Sequence, residues 1–378
     1  MIQRKELLQE VSRSLRRNPV VMLLGPRQIG KSTLAGQLLK PGSSNYFDLE
    51  TPDGAAKLAE PYTGLKDLKG LVVIDEAQRN PAIFPILRVL ADRRPIRTRF
   101  LLLGSASPEL SRQANESLAG RTGIIDLPGL TPGEVGPHRT DRLWLRGGYP
   151  RSFLAGSDPA SMEWRETMIR TYLERDLRVM GFGYSPVVMR RFWTLLAHYH
   201  GQIWNAAEAA SAMGVSARTV NTYLDALEQT FMVRRVLPWY ENVGKRLVKS
   251  PKIYFRDPGL FHTLLRIGTL PELRFHPKVG ASWEGFVMEQ VVSALKLRDF
   301  YFYNVHSGSE LDMLFLYKGK RVGVEIKRED APRMTKSMHV SMADLKLDLL
   351  RVIYPGEHRY TIGPNAECVP FAQLEELM

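Results

Sequence analysis

At 378 residues the chain is longer than a single typical core, so two to four domains are expected. Its 44% hydrophobic and 24% charged residues are an ordinary globular composition, which excludes a disordered chain. The 52 Lys and Arg outnumber the 40 Asp and Glu to give a net charge of +12. That excess favours a polyanionic partner, nucleic acid ahead of membrane, over the plainer reading of a basic protein with no such partner.

The first element, MIQRKELLQEVSRSLRRN, reads as an amphipathic charged helix without the apolar core of a signal segment. No later apolar run approaches the ~20 residues of a membrane helix. The single cysteine, Cys368, rules out an internal disulfide and reads as a buried near-apolar residue in a reducing compartment. A cytoplasmic protein without a membrane partner is expected. From Val20 to about Thr140 the short apolar strands VVMLL, SNYFDLE, LVVID and RFLLLG alternate with amphipathic helices, the mark of a parallel α/β sheet. The Pro- and Gly-rich segment GLTPGEVGPHRTD is the first boundary.

Within that region GPRQIGKST follows the strand VVMLL and opens the helix TLAGQLLK, matching G-x-x-x-x-G-K-[ST] in the strand–loop–helix setting the pattern requires. Gly25, Pro26, Arg27, Gln28, Ile29, Gly30, Lys31, Ser32 and Thr33 are therefore read as a nucleotide-binding loop. Gly25 and Gly30 let backbone N–H groups face phosphates, Lys31 reaches the β and γ phosphates, and Ser32 coordinates Mg²⁺. In LVVIDEAQ, Asp75 ends an apolar strand, where it holds the magnesium through water, and Glu76 polarises the attacking water. The alternative is a solvated acidic pair capping a strand. Ser105, closing RFLLLGS, is a candidate γ-phosphate sensor. Arg121 in SLAGR is read either as an arginine finger acting in trans or as a surface arginine.

From Trp144 to about Gln229 the periodicity is helical. Within it AAEAASAMGVSARTVNTYLDALEQTFMVRRV has the pattern of a helix-turn-helix: Ala209, Ala210 and Met213 on one apolar face, a turn at Gly214, then Val215, Val220 and Tyr223. Arg218, Thr219, Asn221 and Thr222 are expected to point outward and reach DNA phosphates or base edges, and the strand FMVRRVL makes the motif a winged variant. A packing module touching only protein is the other reading.

After Lys249 one helix, WEGFVMEQVVSALK, precedes the hairpin ELDMLFLYKGKRVGVEIK, which turns at Lys318 and Gly319. Pairing Tyr317 with Lys320 sets Leu314 opposite Gly323 and Asp312 opposite Glu325. Like charges there destabilise a sheet, so a divalent cation shared by both carboxylates is the expected compensation. Glu284 lies on the apolar stripe of the helix, and Lys327 on the Glu325 face. Together Glu284, Asp312, Glu325 and Lys327 make a candidate Mg²⁺ or Mn²⁺ site, since hard oxygen donors without thiols or a histidine cluster do not suit zinc. The plainer alternatives are a Lys327–Glu310 cross-strand salt bridge and a first-turn acid at Glu284.

GPRQIGKST, YFDLE, VIDEAQ, LLGSAS and SLAGR resemble the ATPase core of a widespread prokaryotic AAA-type family whose members carry a C-terminal domain of unknown function. YLERDL, KRLVKSPKIYFRDPGL, WEGFVMEQ, SGSELD and VEIK resemble that second region, so the likeness covers nearly the whole chain. The middle resembles a winged helix, and the C-terminal part resembles the restriction-endonuclease-like PD-(D/E)xK nucleases. In that pattern the metal-binding Asp maps to Asp312, the E-x-K pair to Glu325 and Lys327, and a helical Glu to Glu284. The chain departs from it in carrying Leu311 where Pro often precedes the Asp. The resemblance implies an α/β multidomain protein: a P-loop core over 1–140, a helical lid over 141–195, a winged helix-turn-helix over 196–250 and a restriction-endonuclease-like domain over 251–378. It implies a homo-oligomer or ring that hydrolyses ATP with Mg²⁺ and processes DNA, duplex or branched, with Mg²⁺ or Mn²⁺ at the second site. The rival is an ATP-gated oligomeric switch whose nuclease-fold domain is an inert binding platform.

Overall fold

The computed structural model of the protein describes residues 2–40, 42–105, 116–240, 248–305 and 308–378. Ala106 and Ser107 of LLGSAS, Lys245 to Leu247 of KRLVKSPK and Ser307 of SGSELD lie outside them. The chain forms two compact units, one of Met1–Gly129, Asp176–Gly183 and Gln229–Phe231, the other of Leu130–Arg175, Tyr184–Glu228 and Met232–Met378.

The first unit opens with helix α1 (Lys5–Arg17), which buries Val11 and Leu15. A five-stranded parallel sheet follows: β1 (Val20–Gly25), β2 (Tyr46–Asp48), β3 (Gly70–Asp75), β4 (Thr98–Ser105) and β5 (Thr122–Asp126), in the order β2-β3-β4-β1-β5. Continuous apolar runs suit strands covered on both faces, and Val72, Val73, Ile74, Leu101 and Leu103 are fully buried. Each such side chain contributes ~1.5–3 kcal/mol relative to exposure. The strand β5, TGIID, is an element the sequence pattern does not announce, because Ile124 is exposed and only Ile125 is buried. The expected helix TLAGQLLK is also shorter: α2 runs Lys31–Gly36, after which Gln37 and Leu38 donate back only three residues, to Leu34 and Ala35. Glycine at its end favours that early stop. The parallel register brings Gly25 level with Ser105 and Asp48 level with Asp75, so the C-terminal edge of the sheet gathers the phosphate loop, the strand-end acid and the serine. Ligands bind at such edges in open α/β sheets.

The second unit begins with helices Thr140–Arg146, Asp158–Thr171 and Pro186–His198 and the pair Ala206–Met213 and Ala217–Gln229. Gly214 sits between that pair in the left-handed region, and Ala209, Met213, Val220 and Leu224 are buried. A mixed nine-stranded sheet follows. Its strands are β6 (Gln202–Ile203), β7 (Val233–Pro238), β8 (Lys252–Phe255), β9 (Tyr301–Asn304), β10 (Glu310–Tyr317), β11 (Lys320–Ile326), β12 (Leu349–Tyr354), β13 (Tyr360–Gly363) and β14 (Ala366–Pro370). The spatial order is β13-β14-β12-β11-β10-β9-β7-β8-β6. β10 and β11 form the expected hairpin, with Lys318 and Gly319 at φ 48° and 79° and the pairs Tyr317–Lys320 and Leu314–Gly323. Positive φ at both positions gives the turn whose twist matches the strands. Helix Val279–Leu295 buries Trp283, Phe286, Val287, Met288 and Val291. Cys368 is buried, as its near-apolar reading requires. Among the described residues, no helix is long and apolar enough to cross a membrane.

Candidate functional site

The phosphate loop is shaped by residues that leave ordinary backbone conformations. Gly30 sits at φ 103° and Gln28 at 63°, a curl that exposes successive backbone N–H groups. Lys31 lies beneath the loop, its Nζ donating to the carbonyls of Gly25 and Pro26, both at 2.9 Å. Burial pushes its ammonium down to about 8, with Glu76 and Asp75 pulling upward and Arg27 adding to the depression.

Asp75 closes β3 and is buried; its Oδ1 accepts from the Glu76 backbone at 2.9 Å and its Oδ2 from the Tyr46 hydroxyl at 2.7 Å. Burial and the Asp75 carboxylate raise the Tyr46 phenol, while its contact with the Ser32 hydroxyl works the other way. One hydroxyl thus stands between the two side chains expected to hold magnesium. Glu76 adopts φ 53°, which turns it off the strand axis, and its carboxylate accepts from Gln78. Burial raises that carboxyl against the pull of Lys31 and Arg27, as suits a group that takes a proton from water. Ser105 is buried and its Oγ has no hydrogen-bond partner among the described residues. An orphaned hydroxyl at this edge suits a phosphate oxygen as its acceptor. Glu76, Gln78, Ser105, Arg27 and Asp176 line one cavity of about 300 Å³. The loop, the buried cation and the orphaned hydroxyl fit a magnesium nucleotide: Ser32 and Asp75 would hold the metal, whose charge offsets that of the phosphates.

A second charged cluster lies in the other unit. Continuing the hairpin register past Met313–Val324 sets Asp312 level with Glu325, and both side chains are buried. Asp312 Oδ2 accepts from the Ile326 backbone at 2.8 Å. Burial, then Glu325 and Glu284, hold its carboxyl well above the usual range. Glu325 Oε1 receives Lys327 Nζ at 2.7 Å, and its Oε2 is buried without a partner among the described residues. Its carboxyl too is raised by burial, against Lys327. Lys327 therefore pairs with Glu325 along its own strand, not with Glu310 across the hairpin as the plain alternative supposes. Glu310 instead receives Lys252, which also lies 3.6 Å from Glu284. Burial would lower the Lys252 ammonium, but Glu284, Asp312 and Glu310 carry it upward. Tyr254 donates to Glu284, so this acid is held in a network and is no mere first-turn charge. Among the described residues, no group of three or more His, Cys, Asp and Glu is placed to hold a metal. The Asp312–Glu325 pair with one orphaned oxygen is the one- or two-carboxylate set that Mg²⁺ accepts, its other positions going to water or phosphate.

Residues 17–136 match the family model of an AAA domain, while 138–270 and 279–374 match two domains of unknown function, DUF8612 and DUF4143. The uncharacterized proteins Rv2008c of Mycobacterium tuberculosis and Mb2031c of Mycobacterium bovis are each 47% identical over 374 residues, 99% of this chain and 85% of theirs. The chain belongs to the family of these mycobacterial proteins and is an AAA-type P-loop ATPase. The Walker-type ATPase PABY2304 of Pyrococcus abyssi shares the fold at 16% identity and a TM-score of 0.52, over 70% of this chain and 96% of that one.

The remaining expected residues of the ATPase are placed unevenly. Arg121 precedes β5, which runs parallel to β1, and its carbonyl receives the Val20 backbone; it sits at the sheet edge opposite the phosphate loop. Its guanidinium embraces Asp92, with contacts of 2.7 and 2.8 Å. The surface reading describes it within the chain. On helix Ala217–Gln229, Arg218 and Thr222 are exposed, but Thr219 meets Ser216 at 2.8 Å and the Asn221 amide turns inward to accept from Trp204 at 2.9 Å. The expectation that all four point outward is corrected at Asn221, because the buried indole needs an acceptor; Thr219 keeps an exposed contact with Ser216, whose hydroxyl caps the helix start. Four residues that matter were not singled out: Arg27 for its side chain, Tyr46, Lys252 and Asp176. Lys252 had a readable signal, a lysine inside the apolar strand KIYF on the face of Tyr254.

Proposed function

We propose that this ATPase uses its cycle to act on DNA, gripping it through the exposed face of a winged helix-turn-helix and the basic surface, and cutting or holding it at a restriction-endonuclease-like centre. The substrate class this reading favours is branched DNA, such as recombination or repair intermediates, and its working form is a homo-oligomer. The observation that carries it is the buried Asp312–Glu325 pair, in which Lys327 bonds one oxygen of Glu325 and the other oxygen of that acid has no partner among the described residues. Such a pair would share Mg²⁺ or Mn²⁺ with a phosphodiester oxygen, and Lys327 would steady developing charge or orient water. The net charge of +12 and the exposed Arg218 and Thr222 support a phosphate-backbone partner.

The test compares Mg²⁺-dependent cleavage of duplex, single-stranded and four-way DNA by the parent, Asp312→Ala and Lys327→Ala. Cleavage by the parent alone supports the assignment; equal activity in all three removes it. A second reading has its own observation: Lys252, held among Glu284, Asp312 and Glu310, supplies an internal cation to the cluster. The C-terminal unit is then a non-cutting platform and ATP gates assembly. Under that reading no DNA stimulates ATP turnover, and light scattering finds a change of oligomer size between ADP and ATP.

A further inference from the structure

We propose that Arg27 is the arginine that meets the γ-phosphate of ATP, acting within its own chain, and that Asp176 positions its guanidinium. The inference rests on the ATPase assignment and is independent of any DNA reading. Arg121 is committed to Asp92 at the far edge of the sheet. Arg27 is a loop residue with solvent at hand, yet its side chain is only 19% exposed and enters the cavity shared by Glu76 and Ser105. Its Nη1 bonds Asp176 at 2.7 Å and its Nη2 bonds Glu50 at 3.0 Å. Its charge acts on both Lys31 and Glu76, and it lines the same cavity as Glu76. A guanidinium carries five donors in a fixed fork, so these two bonds leave geometry for a phosphate oxygen.

Asp176 is itself built for the task. It ends a wide π-helical turn, Tyr172–Asp176, of the kind that recurs at functional sites, and it is 6% exposed. In hydrolysis a water oxygen bonds to the γ-phosphorus while Glu76 accepts its proton. The bond to the β–γ bridging oxygen breaks, and its electron pair leaves with ADP. Arg27 would neutralise charge on the γ-phosphate oxygens as that bond breaks.

The test measures affinity for ADP and for ADP–aluminium fluoride, both with Mg²⁺, by displacement of a fluorescent nucleotide, alongside phosphate release. Arg27→Ala should keep ADP affinity, lose the parent's tighter binding of the fluoride complex, and lower kcat on the order of 100-fold. Arg27→Lys, which keeps charge but not the fork, should fall between and covers the case in which the alanine variant does not fold. Asp176→Asn should weaken the fluoride preference part-way, and adding it to Arg27→Ala should change nothing further. A fluoride preference that survives in Arg27→Ala overturns the proposal, as does equal loss of ADP binding. A further loss in the double variant overturns the positioning role of Asp176. The binding comparison decides even where turnover is slow, and a parent that binds neither nucleotide condemns the proposal and the ATPase reading together, with Lys31→Ala as the matched loss.

Discussion

Ser105 and Asp312 are both polar groups placed where water does not reach, and each makes a prediction that packing alone would not. Removing an unpaired buried hydroxyl relieves a desolvation cost of ~1–3 kcal/mol. Ser105→Ala should therefore match or exceed the parent in thermal midpoint while its ATP turnover falls; a lower midpoint with unchanged turnover would make the serine structural. Asp312 has its carboxyl raised above the ordinary 3.8, so the folded state binds its proton more tightly than the unfolded chain. Stability from this group is present at low pH and lost as pH rises from about 4 through the raised value. Asp312→Asn should melt higher than the parent at about pH 8, with the gap closing near about pH 4. Added Mg²⁺ should raise the parent's midpoint and not the variant's. At this scale the sequence was informative about identity and poor about partners. Lys31, Asp75 and Glu76 were legible because the loop pattern prescribes them. Tyr46, Asp176 and Lys252 were not, because each meets its partner across at least 29 residues of chain.

Among the elements, the junction of β8, helix Pro258–Leu264 and helix Val279–Leu295 depends on two neutral histidines. His200 Nε2 donates to the Ala281 carbonyl and its Nδ1 accepts from the Phe255 backbone, each at 3.0 Å. His262 Nδ1 donates to the Leu145 carbonyl at 3.0 Å, and its Nε2 accepts from Ser282, whose oxygen receives Trp144. Each ring uses one nitrogen as an acceptor, so protonation breaks a bond as well as burying a charge. Burial pushes both down to about 3 from the ordinary 6.5. A lowered histidine favours the folded state above 6.5 and loses that contribution as pH falls from 6.5 toward 3. At about pH 5 each should cost about 2 kcal/mol, readable by urea unfolding followed through tryptophan fluorescence. A flat profile between about pH 7 and 5 in the Asp312→Asn variant, which lacks the opposing titration of that acid, would refute the neutral network. The hairpin β10–β11, by contrast, was legible from Tyr317–Lys320 to Met313–Val324, since a two-residue turn and strict alternation leave one register. β5 escaped because its five residues bury too little to show a period.

For the molecule, the two compact units carry the two charged centres separately, and their responses should separate too. Calorimetry should resolve two transitions. Mg²⁺-ATP at ~100 times its Kd should stabilise one by ~2.7 kcal/mol, whereas acid should lower the other, which holds His200 and His262. One transition moved equally by both treatments would mean the units unfold as one.

The sequence by itself determined the phosphate loop, the parallel core and the hairpin register from Tyr317–Lys320 to Met313–Val324. These follow from local pattern: glycine spacing, strand period and turn chemistry act over a few residues. Tertiary structure alone decided which cation meets which acid. It drew Asp176 to Arg27 and Lys252 to Glu310, and turned Asn221 inward to Trp204. Coulombic and hydrogen-bond partners are chosen by distance in space, and a buried charge takes the nearest group that relieves its desolvation, however far away along the chain.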